Sequence, residues 1–306
     1  DVVAPTYIVD GKPELNPVGV LCHRIEARYK LIVGRPALRL NVSNSVTGLA
    51  GIDIAGIEIA PLSLGDVVLS ENEKDLGCAL INFGAGVTSV AIYKGGKLID
   101  LSVVPLGSNL ITKDITALHV VESEAERLKL TYGAAKADRE HDMEIPLSAA
   151  DGSVRKLNLY ELNSVVEARM DEILQNVYAR LESSGALPSL GAGVVIAGGG
   201  SALKGLPALM SERLKMEVRY ASIRRGLVVG GDTMVAANPE FATAIGLLAA
   251  GTKNCAYYEI PKPAPEPKPE PKSEPKPEPK AEPSPAVEPQ PKPRPAKKKS
   301  FFGTLA

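Results

Sequence analysis

Two glycine-rich stretches hold residue types that can cradle an anion without a formal charge. The first is Asn82-Phe83-Gly84-Ala85-Gly86-Val87-Thr88-Ser89. Its glycines let backbone N–H groups approach a phosphate closely, and Thr88 adds a hydroxyl. The same residues also suit a plain hairpin turn. The second is an apolar strand, from Val194, that ends in Gly198-Gly199-Gly200 before a helical segment. Helix N–H groups then stand at the carboxyl end of a strand, where α/β folds bind ligands. Tight strand–helix packing asks for the same glycines. Neither stretch is a Walker A loop, because no Gly-Lys-Ser/Thr follows, and the glycine spacing is not that of a dinucleotide fingerprint. Between them Glu126 and Lys129 share one helical face, able to hydrogen-bond a ribose or to stay a solvated ion pair. Two glycine loops about 115 residues apart, each at a strand end, suit a nucleotide clamped between two structural halves.

The elements that position these residues alternate in type. Tyr7–Val9 reads as a short strand, Asp10-Gly11-Lys12-Pro13 as a turn, and Arg24–Val33 as a strand. Apolar spacing predicts a helix over Pro36–Ala50, then a short strand at Ile57–Ala60, with Pro61 opening the next helix. Cys78–Asn82, Val87–Tyr93 and Leu98–Val104 read as strands, the last two joined by Lys94-Gly95-Gly96-Lys97. Glu122–Ala135 is a helix with glutamates early and lysines late, as the macrodipole favours. A hairpin is expected over Ile145–Leu157 around Asp151-Gly152. A long amphipathic helix follows over Leu159–Ser183, capped near Gly185. Gly193–Ala197 is a buried strand, Ala202–Lys215 is helical with Gly205 and Pro207 interrupting its start, and Phe241–Ala250 is an apolar helix. This alternation places the body in the α/β class.

Composition narrows the partners. Of the 25 prolines, 15 fall between Pro261 and Ala306, mostly alternating with Lys and Glu, a pattern that cannot form helix or sheet. The remaining ~260 residues suffice for one large domain or two modest ones. No apolar run reaches the ~18 residues of a spanning helix. The net charge of −1 hides a basic tail, with ten Lys/Arg against seven Glu from Glu259 onward, and an acidic body of 25 against 29. An acidic body argues against nucleic acid as the main partner. Cys22, Cys78 and Cys255 are far apart and read as thiols, and the three scattered histidines show no metal-ligand spacing.

Order and wording add a resemblance. The loop at 82–88 is followed by Val104-Pro105-Leu106-Gly107-Ser108-Asn109, Glu124-Ala125-Glu126-Arg127-Leu128-Lys129, Val165-Val166-Glu167-Ala168-Arg169, Ala197-Gly198-Gly199-Gly200 and Pro239-Glu240-Phe241-Ala242-Thr243-Ala244-Ile245-Gly246. Over residues 7–252 the chain resembles the FtsA family, the actin-related cell-division proteins of bacteria. The opening Tyr7–Gly11 with Asn16-Pro17-Val18-Gly19 resembles that family's inserted subdomain 1C. The resemblance implies an actin-like ATPase fold of the actin/Hsp70 superfamily. Its parts would be subdomain 1C in 1–55, 1A in 56–76 and 236–255, 2A in 77–135 and 191–235, and 2B in 136–190. It implies ATP with Mg²⁺ held by Gly84, Gly86, Val87 and Thr88, by the Gly107–Asn109 segment, by Glu126 and Lys129 on the ribose side, and by Gly198, Gly199 and Gly200 at the adenosine. Asn82 stands where the family usually carries Asp, so binding with at most weak hydrolysis is expected. The family's first phosphate loop would precede subdomain 1C, so the chain reads as incomplete and its hold on ATP as weakened. A pilus-assembly (PilM-like) or other actin-related scaffold, or an Hsp70-like ATPase, stands as the alternative.

The resemblance also implies partners: the C-terminal peptide of FtsZ on subdomain 2B, further copies in filaments, later division proteins, and the inner face of the cell membrane. Residues 256–296 form a semi-rigid spacer; at ~3.1 Å per residue the Pro/Lys/Glu part spans at most about 110 Å. Lys297, Lys298 and Lys299 followed by Phe301 and Phe302 read as the start of an amphipathic anchor, too short for more than weak membrane contact.

Overall fold

Alternating apolar residues build a mixed sheet whose two faces are both buried. The computed structural model of the chain describes residues 2–148, 154–227 and 238–251. The turn expected at Asp151-Gly152, Cys255, and the tail with its basic, Phe-containing tip lie outside the described residues.

A small antiparallel sheet comes first, in the order β2-β1-β3, from β1 (Val2–Val9), β2 (Lys12–Glu14) and β3 (Ile25–Leu31). Strand β1 is longer than the predicted Tyr7–Val9 because Val2 and Val3 pair with Leu31 and Lys30. The register shifts between Val3 and Thr6, where Pro5 has no N–H to give the ladder. The predicted helix over Pro36–Ala50 divides into α1 (Pro36–Ser43) and a π-helical turn over Asn44–Leu49, neither with a buried residue. The strand expected at Ile57–Ala60 is absent. No strand pairs with it, and Pro61 instead sits in the first turn of α2 (Ala60–Val68), where its fixed φ favours helix. Helix α3 (Glu71–Leu76) was not foreseen, although Ser70 and Glu73 form a complete capping box, a readable start signal.

The main sheet comprises β4 (Cys78–Phe83), β5 (Thr88–Lys94), β6 (Lys97–Val104), and two strands later in the chain, β9 (Val194–Ala197) and β10 (Val218–Tyr220). Between β6 and β9 come α4 (Asn109–Ile115), α5 (Glu122–Tyr132), the hairpin of β7 (Glu144–Ser148) and β8 (Val154–Asn158), and α6 (Leu159–Ser183). Then follow β9 (Val194–Ala197), a 3₁₀ turn over Gly199–Ala202, α7 (Leu206–Leu214), β10 (Val218–Tyr220) and α8 (Ala242–Ala250). The order is β10-β9-β4-β5-β6, with β10, β9 and β4 parallel and β4, β5 and β6 antiparallel. On β4, Ala79, Ile81 and Phe83 face a core shared with α4, α5, α6 and α7, while Cys78 and Leu80 face α2 and Ala242 of α8. Strand β9 divides likewise, Val194 and Ile196 against Val195 and Ala197. That period of two is what buries both faces.

Candidate nucleotide cleft

The two glycine loops meet because β4 and β9 are parallel neighbours, with Asn82 paired to Ala197. Both loops therefore leave the same edge of one sheet. Parallel pairing of adjacent strands puts their carboxyl ends side by side.

Backbone crowding explains the glycines. Gly198 has φ +85°, and a Cβ there would lie 2.5 Å from both Asn82 Oδ1 and Phe83 O. A Cβ on Gly107 would lie 2.3 Å from Ala85 O. This close approach lets Ser108 N donate to Gly84 O (3.0 Å) and Asn109 N to Ala85 O (2.9 Å), so the start of α4 is tied to the first loop. A Cβ on Gly200 would press on Phe83 and Ser108 at 3.0–3.2 Å. Gly86 and Gly199 are different. A Cβ on Gly86 would meet nothing within 4 Å, and one on Gly199 only the Glu240 side chain at 3.8 Å.

A cleft of about 440 Å³ opens at this edge, lined by Ala85, Ser108, Asn109, Glu126, Lys129, Gly133, Gly199, Gly200, Lys204 and Glu240 among others. Of the residues singled out in the sequence, it brings together Asn109, Glu126, Lys129, Gly199 and Gly200. Gly84, Gly86, Val87, Gly107 and Gly198 do not line it. Thr88 is buried, and its hydroxyl donates to Leu106 O at 2.8 Å, so that proton holds the loop after β6. Asn82 is half-buried beside Gly198.

Lys129 Nζ pairs with Glu126 Oε2 at 2.7 Å, and Thr112 Oγ1 donates to the same oxygen at 2.5 Å. Burial pushes the Glu126 carboxyl up, but hydrogen bonds from Lys129 and Thr112 and the Lys129 charge outweigh it and hold its pKa below the usual carboxylate range. Thr112, Lys204 and Glu240 were not singled out from the sequence. For Thr112 a signal existed: Ile111, Thr112 and Ile115 are the buried positions of α4, at helical spacing. No group of three or more His, Cys, Asp or Glu able to hold a metal occurs among the described residues. Among them, no helix is long and apolar enough to cross a membrane.

Comparison with known proteins places this geometry. The family model described as cell division protein FtsA matches residues 79–246. The FtsA of Porphyromonas gingivalis is 37% identical over 259 residues, 84% of this chain and 54% of that protein. The FtsA of Bacillus subtilis is 35% identical, over 83% of this chain and 56% of its own length. That of Escherichia coli K12 is 30% identical, over 83% and 62%. The chain thus spans about half the length of these relatives. Among solved structures, MreB5 of Spiroplasma citri bound to ADP superposes with a TM-score of 0.54 at 14% identity, covering 80% of this chain and 87% of that one. A chain of the PilM–PilN type IV pilus biogenesis complex superposes with a TM-score of 0.58 at 19% identity, covering 82% and 67%. The fold is actin-like, and the chain belongs to the FtsA family of cell-division proteins.

Proposed function

We propose that the chain serves cell division as an ATP-binding, actin-like adaptor that links the FtsZ ring to the cytoplasmic membrane and helps recruit later division proteins. The observation that carries the nucleotide part is the convergence of both glycine loops and the Glu126–Lys129 pair on one cleft. Its volume of about 440 Å³ lies within the ~300–1,000 Å³ of small-molecule sites.

The residues present fit a nucleotide. In the first loop, the N–H groups of Ala85, Gly86 and Val87 have no backbone partner among the described residues, and the residues are exposed. The N–H groups of Gly199 and Gly200 open the 3₁₀ turn after β9 and are likewise unbonded. Such N–H groups suit phosphate oxygens. Asn82 offers Mg²⁺ no charge, so the ion would enter with the phosphates it accompanies, and Asn82 would contribute only a neutral amide. ATP with Mg²⁺ supplies a charged ligand whose binding differs between nucleotide states; the chain's own residues bind and orient it.

Family membership supports the adaptor part. Residues 136–190 are the proposed receptor for the FtsZ C-terminal peptide. A cleft of about 480 Å³ lies where α6 meets α7, lined by Asp171, Leu174, Gln175, Tyr178, Arg213 and Leu214. Residues 1–55 are proposed as the inserted subdomain 1C, residues 297–306 as a membrane-contacting tip, and filament formation with further copies as part of the function.

Nucleotide displacement tests the central claim. A fluorescent ATP analogue bound to the chain should be competed by unlabelled ATP. Gly199→Leu should abolish binding while leaving the melting temperature within a few degrees, since a Cβ there meets only Glu240, at 3.8 Å. Equal binding by wild type and Gly199→Leu would refute the cleft as the site.

A further inference from the structure

Leu38, Val42, Val46 and Leu49 recur at helical spacing, a pattern that ordinarily marks the buried face of a helix. Here that face has no cover among the described residues: neither α1 nor the π-helical turn after it buries a residue. Leu38 is 63% exposed, Val42 46% and Leu49 89%. Leu40 is exposed too, but two residues on from Leu38 it falls on the opposite side of the helix. The charge around the stripe is one-sided. Residues 27–52 carry Arg28, Lys30, Arg35 and Arg39 and no Asp or Glu, in a body with 25 Lys/Arg against 29 Asp/Glu. All four cations are exposed. Glu26 reaches Arg28 at 3.8 Å, while Lys30, Arg35 and Arg39 have no ion pair among the described residues.

We propose that α1 and the turn after it form a second membrane-contact site, an interfacial helix lying flat on an anionic bilayer with the Leu38 stripe at the acyl boundary and the four cations among the headgroups. An exposed apolar stripe flanked by Arg and Lys is the pattern of helices that lie in the interface plane. A protein groove would also cover the leucines, but cations with no acid among them are what a uniformly anionic surface attracts. Arg35 and Arg39 stand on either side of Leu38 in the chain, and their long stems let the charge stay at the headgroups while the helix sinks. The inference goes beyond the tip at 297–306 and does not rest on it. One weak anchor gives marginal, reversible binding and stable attachment takes two signals; α1 supplies one within the body itself.

The chain contains no tryptophan, so a single introduced tryptophan reports on one position. In the full chain, the emission of Leu38→Trp should move to shorter wavelength on adding vesicles of phosphatidylcholine and phosphatidylglycerol in equal parts, and not with phosphatidylcholine alone. Leu40→Trp, on the opposite side, should show no shift. In sedimentation with the same mixed vesicles, Leu38→Gln/Leu49→Gln should lower the bound-to-free ratio at least about tenfold, as for two leucines no longer buried. Arg35→Gln/Arg39→Gln should lower it about tenfold or more. None of these four residues is buried, so both pairs should melt as wild type does. Equal shifts at positions 38 and 40, or vesicle binding unchanged in both pairs, would overturn the inference while leaving the tip and the adaptor reading in place. A Leu38→Trp shift that needs no vesicles and grows with protein concentration would assign the stripe to a second copy and overturn the bilayer. A wild type that binds neither kind of vesicle would remove the inference and the membrane part of the adaptor reading together.

Discussion

Glu126 shows how one residue links stability to the candidate site. Its carboxyl is held below the usual carboxylate range because the Lys129 and Thr112 bonds outweigh burial. A carboxyl whose folded pKa is depressed binds fewer protons in the folded state than in the unfolded one. Its contribution is therefore full above the unfolded value and is lost as pH falls through the lower folded value. Glu126→Gln removes that dependence. The melting temperature of wild type should exceed that of Glu126→Gln at pH 7, and the gap should close as pH falls through and below the ordinary glutamate range. A gap that stays constant as pH falls through and below that range would show that the ion pair does not govern this carboxyl. With the side chain 41% exposed, solvent screening keeps the effect modest.

At the scale of elements, the close crossing of α2 and α8 is the sharpest dependence on a single position. A Cβ on Gly246 would lie 2.5 Å from Ser63 O and 3.1 Å from Leu64 N. These are backbone atoms in the middle of α2, so no rotamer change relieves the contact. Gly246→Val should force the helices apart and cost about 3 kcal/mol, read from urea unfolding. Leu248→Ala, on the same helix but at a residue 79% exposed, should change stability by less than about 0.5 kcal/mol. Equal losses would mean that helix propensity and not the crossing is being measured. The same reasoning applies to the cleft: Asp114 of α4 pairs with Arg169 of α6 through Nε and Nη2 at 2.5 and 2.9 Å. The helix that carries Thr112 at the cleft is thus fastened at its far end to α6.

At the scale of the molecule, the adaptor reading makes two predictions. A labelled peptide of the FtsZ C-terminus should bind the folded chain saturably in fluorescence anisotropy, with Tyr178→Ala, at the α6–α7 cleft, weakening it about tenfold, as for loss of an aromatic anchor. A folded chain, checked by circular dichroism, that binds no peptide would remove the FtsZ-receptor role. Vesicles containing anionic lipid should sediment a small fraction of the chain. Each lysine near such a surface contributes ~1 kcal/mol and each buried Phe ~1.5–3 kcal/mol, offset by the cost of ordering a short helix. Equal sedimentation with and without residues 297–306 would eliminate the tip as an anchor.

The sequence by itself determined the α/β class and most element positions. Val87–Tyr93, Leu159–Ser183 with its turn at Gly185, and the apolar strand before Gly198 all lie where their periodicity placed them, because side chains buried on two faces or one leave a period that is visible locally. Gly185 adopts φ +68°, as a helix stop requires. The order of short motifs was also enough to name the family. Other features depend on residues far apart in the chain. The length of β1 was set by pairing with β3, and the failure of Ile57–Ala60 to form a strand by the lack of a neighbour. That the two glycine loops leave one sheet side by side was decided only when β9 paired parallel to β4. The role of Thr112 likewise appeared only when α4 packed beside α5, since a hydroxyl acquires its donor and acceptor from whatever the fold brings within ~3 Å, a distance that no spacing along the chain records.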